Sequence, residues 1–121
     1  SPDGADVWAH PELFQLNEKN ESSSIAGCPP DSFSADGQVW GNPLYRWDRH
    51  RANGYHWWVT RMWYSYKLYD MVRLDHFRGF DAYFAIPAGS TSARMIIMPA
   101  HIAAQPHFLF RLNIKTTFRI A

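Results

Sequence analysis

Arg73 and Asp75 stand two positions apart in the run Val72-Arg73-Leu74-Asp75-His76-Phe77-Arg78-Gly79-Phe80. In an extended segment, such residues project from one face, so the guanidinium can hold the carboxylate ionised. An ionised aspartate at the C-terminal end of a barrel strand faces the mouth where βα loops assemble active sites, and there it could serve as a nucleophile. The same pair could instead be a salt bridge that closes a strand. On spacing alone the salt bridge is the simpler reading.

Other chemistries find less support. His50 and His56 are six apart, as are His101 and His107, which fits neither the i, i+4 pair of a helical zinc site nor a zinc-finger spacing. The histidines therefore read as solvated or hydrogen-bonded groups, and no metal is expected. The sequence contains no glycine-rich phosphate loop and no G-x-S-x-G elbow, which sets aside phosphate-binding and serine-hydrolase chemistry. No cofactor is implied. Cys28 is the single cysteine, so it cannot form an internal disulfide and reads as an inert thiol in a reducing, cytoplasmic setting.

The elements that would position the Arg73 and Asp75 pair are legible upstream of it. From Gly54 to Tyr69 there is no Gly or Pro after the first residue, and Trp58, Met62, Ser65 and Tyr69 recur at spacings of four, three and four. That pattern predicts an amphipathic helix. The short β-rich run from Met71 to Asp75 then predicts a strand, and the helix-to-strand order hints at a βαβ unit with a parallel sheet. Residues 1–53 are punctuated by Pro2, Pro11, Gly27, Pro29, Pro30, Gly37, Gly41 and Pro43, and read as a long ordered loop region on the surface rather than core.

With 121 residues, 46% of them hydrophobic, the chain can supply one globular core, as one domain or part of one. The formal net charge of +1 gives no call for nucleic acid or an anionic membrane. No signal peptide and no apolar run long enough to span a membrane is present, and the start at Ser1 without Met reads as mid-protein. From Arg94 to Ala121 there is no Asp or Glu, while Arg94, Arg111, Lys115 and Arg119 are basic. Apolar residues are interleaved there without a clear period, so a nucleic-acid or membrane role for this stretch is not the preferred reading.

The run from Val72 to Phe80 closely resembles the nucleophile segment of the amylomaltases, the 4-alpha-glucanotransferases of glycoside hydrolase family 77. Further segments match in the same register. Ala5-Asp6-Val7-Trp8-Ala9-His10-Pro11-Glu12-Leu13-Phe14 resembles the family's stretch after its third barrel strand. Gly27-Cys28-Pro29-Pro30-Asp31-Ser32-Phe33-Ser34 and Gly37-Gln38-Val39-Trp40-Gly41-Asn42-Pro43-Leu44-Tyr45-Arg46-Trp47 resemble its acceptor-side loop, and Ala85-Ile86-Pro87-Ala88-Gly89 continues the pattern. The resemblance covers about residues 3 to 93. It implies an α/β fold: a fragment of a (β/α)8 TIM barrel in which residues 1–93 carry the acceptor-side loop, a helix and the nucleophile strand.

The resemblance further implies that Asp75 is the nucleophile, Arg73 its charge partner and His76 a hydrogen-bond donor to the sugar in the donor subsite. Asp31, Phe33, Gln38 and Trp40 would lie along the acceptor subsites, with aromatic faces stacking on sugar rings and polar groups meeting hydroxyls. The implied partners are α-1,4-glucans and maltooligosaccharides, with no nucleic acid and no membrane. Ser32 departs from the aromatic residue that many members carry beside Phe33. The implied reaction is a retaining double displacement, which needs a second carboxyl group roughly 5 to 5.5 Å from the nucleophile. After Glu21 the sequence has no glutamate, and Asp81 is the only aspartate beyond Asp75, at a position the family does not use for catalysis. The chain alone is therefore expected to be inactive. Residues 94–121 do not follow the family pattern, which fits a truncated or shifted reading frame near Ala93 better than a new module. The rival readings are a non-catalytic glucan-binding piece using Phe33, Trp40 and Trp47, and an interaction role for the basic tail.

Overall fold

The computed structural model describes residues 1–80 and 82–93. The expectations for Asp81, for His101 and His107, and for the basic tail 94–121 lie outside these residues. In chain order the elements are α1 (Ala5–Ala9), a 3-10 helix (Pro11–Leu13), β1 (Ser24–Cys28), β2 (Gln38–Pro43), α2 (Trp47–Ala52), α3 (His56–Leu68), a second 3-10 helix (Phe77–Phe80) and β3 (Phe84–Pro87).

The three strands form an antiparallel sheet in the order β2-β1-β3. Ile25 faces Ile86 across one ladder and Pro43 across the other, and the register slips between Ile25 and Gly27 on the β2 side. Gly27 explains how closely the layers meet. A Cβ there would stand 2.2 Å from the Gln38 carbonyl oxygen and 2.4 Å from Ile86 Cδ1, and Ile86 is fully buried. Only a residue without a side chain fits between β2 and the Ile86 side chain.

Two clusters of buried residues make the core. One gathers Tyr55, Trp58, Met62 and Phe80, and the other Val7, Leu13 and Phe14. Tyr45 and Trp57 pack against both. The first is mostly aromatic: Trp47 and Trp58 stack with centroids 6.1 Å apart, and Phe80 meets Trp58 edge-on at 5.1 Å. His50 is fully buried beside Tyr45, Trp47 and Trp57. A carbonyl can only accept, so His50 Nε2–H donates to Leu13 O at 3.2 Å and joins α2 to the first 3-10 helix. Burial lowers its pKa below the usual 6.5, against the smaller opposing effects of that hydrogen bond and of Asp48 and Glu12.

Residues 1–53 are mostly exposed or half-buried, as expected, but Val7, Leu13, Phe14, Ala26, Leu44 and His50 among them are buried and contribute to the core; abundant Pro and Gly set the turns there without deciding which side chains pack inward. Two expectations are corrected. The predicted helix forms over His56–Leu68 with Trp58 and Met62 on its buried face, but Tyr69 is 63% exposed and already extended. The stripe thus stops before its last member. The predicted strand from Met71 to Asp75 does not form: the segment joins no sheet among the described residues, and Asp75 already stands in a turn. Val72 and Leu74 turn inward against the aromatic cluster while Met71, Arg73 and Asp75 face out, so strand periodicity is present without a ladder. A strand exists by hydrogen bonding to a neighbour, and no neighbour stands beside this segment among the described residues.

Candidate active site

The loop between β1 and β2 is shaped by Asp31. Its Oδ1 accepts the backbone N–H groups of Phe33 and Ser34, both at 2.8 Å, which closes an Asx-type turn and leaves Phe33 95% exposed. Gln38 and Trp40 follow on β2, two apart and so on one face. Trp40 Nε1–H donates to Gln38 Oε1 at 3.0 Å, and the indole meets the His76 imidazole edge-on with centroids 5.3 Å apart.

Asp75 and His76 arrive from the other direction, after α3. Arg73 Nε lies 2.7 Å from Asp75 Oδ1 in an ion pair largely open to solvent. His76 has φ +48°, the left-handed region that side chains disfavour, and this reverses the chain into the second 3-10 helix.

These residues border a cavity of about 280 Å³. Ala26, Gly27 and Phe84 from the sheet line one part, and Tyr45, Trp47, Trp58 and Phe80 another. Asn42, Trp40, His76, Tyr83 and Asp75 bring polar groups, and among the described residues lining the cavity Asp75 is the one carboxylate. Gln15 Nε2 donates to both the Tyr83 hydroxyl, at 2.9 Å, and the Tyr45 carbonyl, at 3.1 Å. Burial is the main effect raising the pKa of the Tyr45 and Tyr83 phenols, so both stay protonated near neutral pH. The lining is an apolar pocket with a few convergent polar groups, the usual make-up of a small-molecule site.

The structure brings Trp40, Asp75 and His76 to this cavity. Gln38 stands one hydrogen bond behind, on Trp40, and Arg73 one ion pair behind, on Asp75. Asp31 and Phe33 lie on the loop and do not line the cavity. Asn42, Tyr45 and Tyr83 were not singled out in the sequence. The first two sit inside the quoted motif from Gly37 to Trp47 and could have been found there, whereas Tyr83 is brought back only by the turn through the second 3-10 helix. A separate open groove, bordered by Asp6, His10, Glu12, His56, Arg61 and Tyr64, contains none of the expected site residues.

A family model described as 4-alpha-glucanotransferase matches residues 1–112. The chain belongs to the 4-alpha-glucanotransferase family. That match extends beyond the limit near residue 93 read from the motifs. The 4-alpha-glucanotransferase of Streptococcus pneumoniae is 53% identical over 91 residues, and that of Aquifex aeolicus 51% over 89. These alignments cover 75% and 74% of this chain, and 18% of each relative. An amylomaltase from Streptococcus agalactiae in complex with acarbose superposes with a TM-score of 0.83 at 40% identity, over 95% of this chain and 23% of that one. This 4-alpha-glucanotransferase chain thus spans about a fifth of the length of the relatives it matches.

Proposed function

We propose that the chain is part of a 4-alpha-glucanotransferase that moves α-1,4-glucan segments to the 4-hydroxyl of an acceptor glucan or glucose by a retaining double displacement. The observation that carries this reading is the convergence of Asp75, His76 and Trp40 on one cavity, in a chain of this family. Asp75 is the nucleophile. Its carboxylate oxygen attacks C1 of a glucose unit as the glycosidic C1–O bond breaks, giving a β-linked glycosyl-enzyme. The departing oxygen takes a proton from a second carboxyl group. In the return step the acceptor 4-hydroxyl attacks C1, gives its proton back to that group and releases Asp75.

Arg73 is the charge partner of Asp75 through the 2.7 Å contact, and His76 donates a hydrogen bond to the sugar in the donor subsite. Trp40 and Phe33 offer aromatic faces to the acceptor, and Asp31 and Gln38 offer it polar groups. Acarbose in the amylomaltase relative supports an oligosaccharide ligand, here an α-1,4-glucan or maltooligosaccharide. The second carboxyl group comes from barrel strands beyond this chain, whose residues 1–93 form one part of a (β/α)8 barrel, a fold of roughly 250 residues.

The test is Asp75→Asn in a full-length enzyme containing these residues, with maltotriose as substrate. The amide keeps the shape and loses the charge, so transfer should be abolished through kcat with little change in glucan binding. Transfer near the wild-type level would replace the nucleophile by a structural salt bridge between Arg73 and Asp75. Saturable binding of maltooligosaccharide to the 121-residue chain, without turnover, is the outcome that would favour a glucan-binding piece.

A further inference from the structure

Gly79 lies three residues after His76, and its N–H donates to the His76 carbonyl at 2.8 Å. This tight return brings the Gly79 backbone against the imidazole. A Cβ on Gly79 would stand 2.8 Å from His76 Cδ2, 3.4 Å from Nε2 and 3.8 Å from Cγ. Its three nearest atoms outside its own chain neighbours would all belong to that one ring. Gly79 does not have a positive φ, so nothing in its backbone conformation calls for glycine. What a side chain there would disturb is the placement of His76.

We infer that Gly79 is a positioning residue, whose missing side chain lets the His76 imidazole settle at the cavity edge against Trp40. The inference rests on the proposed role of His76 as a hydrogen-bond donor to the sugar. Two restraints then define the ring: the edge-on contact with the Trp40 indole at 5.3 Å and the close approach of the Gly79 backbone. Because His76 already holds a left-handed backbone conformation, its Cβ direction is set by the turn, and the ring has to rotate to escape a methyl at position 79. Displacement of a substrate-positioning group by about 1 Å can cost about 100-fold in rate.

The experiment compares four forms of a full-length enzyme containing these residues: wild type, Gly79→Ala, His76→Ala and the double variant. Maltotriose transfer is the kinetic readout, and imidazole resonances of histidine-labelled protein report the ring. Gly79→Ala should lower kcat/KM by about 10-fold or more in the wild-type background. With His76→Ala already present, the same change should act within about twofold, because its target is gone. Equal losses in both backgrounds overturn the inference. The His76 resonance, assigned by its disappearance in His76→Ala, should shift in Gly79→Ala as the ring moves in the field of the Trp40 indole; an unmoved resonance overturns the inference as well. Should His76→Ala retain full transfer, the donor-subsite role of His76 fails, while the resonance still decides whether Gly79 positions the ring. Should Gly79→Ala fail to fold, the double variant folds if the imidazole is the obstacle, and its failure would count against the inference.

Discussion

Arg73 and Asp75 meet in an ion pair at 2.7 Å, with both side chains largely exposed. An exposed ion pair contributes little to folding, so the arrangement is better placed to orient a carboxylate than to stabilise the chain. In a full-length enzyme, Arg73→Ala should therefore lower transfer less than Asp75→Asn does and leave the unfolding temperature nearly unchanged, which steady-state kinetics and thermal unfolding would check. In the proposed reaction Trp40 acts at a different stage. Removing its ring by Trp40→Ala takes away acceptor stacking and a support of His76, so more of the glycosyl-enzyme should be lost to water; product analysis should show hydrolysis rising relative to transfer. The meeting of Asp75, His76 and Trp40 at one cavity was legible because their local motifs are specific. Tyr83 was not, since it reaches the cavity through a chain reversal and a hydrogen bond from Gln15, 68 residues away in sequence, and neither leaves a local pattern.

Among the elements, α3 was legible because a buried face at helical spacing is written into consecutive turns, and Trp58 and Met62 occupy that face. The sheet was harder to see: its strands are four to six residues long, and β1 pairs with β3 across a long excursion through α2 and α3. Gly27, quoted in the sequence only as part of a loop motif, turns out to set the closest approach within that sheet. Gly27→Ala should destabilise the protein by about 1 to 3 kcal/mol through overpacking, since the obstruction includes the Gln38 backbone carbonyl as well as a side chain that can move. Denaturant unfolding of the two forms would measure it. His50 gives α2 a pH dependence. Its pKa is lowered in the folded protein, so the unfolded chain binds the proton more readily, and the stability it contributes is present above about 6.5 and declines as pH falls below that value. Unfolding midpoints of the wild type and of His50→Gln should diverge above pH 6.5 and draw together in mild acid; parallel curves would remove His50 as the source.

At the scale of the whole molecule, the chain accounts for 18% of the length of its curated relatives and 23% of the structural one. One wall of a candidate active site is folded here around its own core, which is mostly aromatic. Catalysis asks for more than this wall. A nucleophile without a proton donor leaves the glycosidic oxygen to depart as an alkoxide, and general-acid assistance is worth about 10²- to 10⁴-fold. Asp75 is the only carboxylate among the described residues that line the cavity, and the sequence has no glutamate after Glu21. The purified 121-residue chain should therefore release no glucose from maltotriose and build no longer oligosaccharide, while a full-length enzyme with the same residues does both. Chromatography of the products after long incubation would check this, and glucose release by the chain alone would show that a proton donor lies within these 121 residues after all.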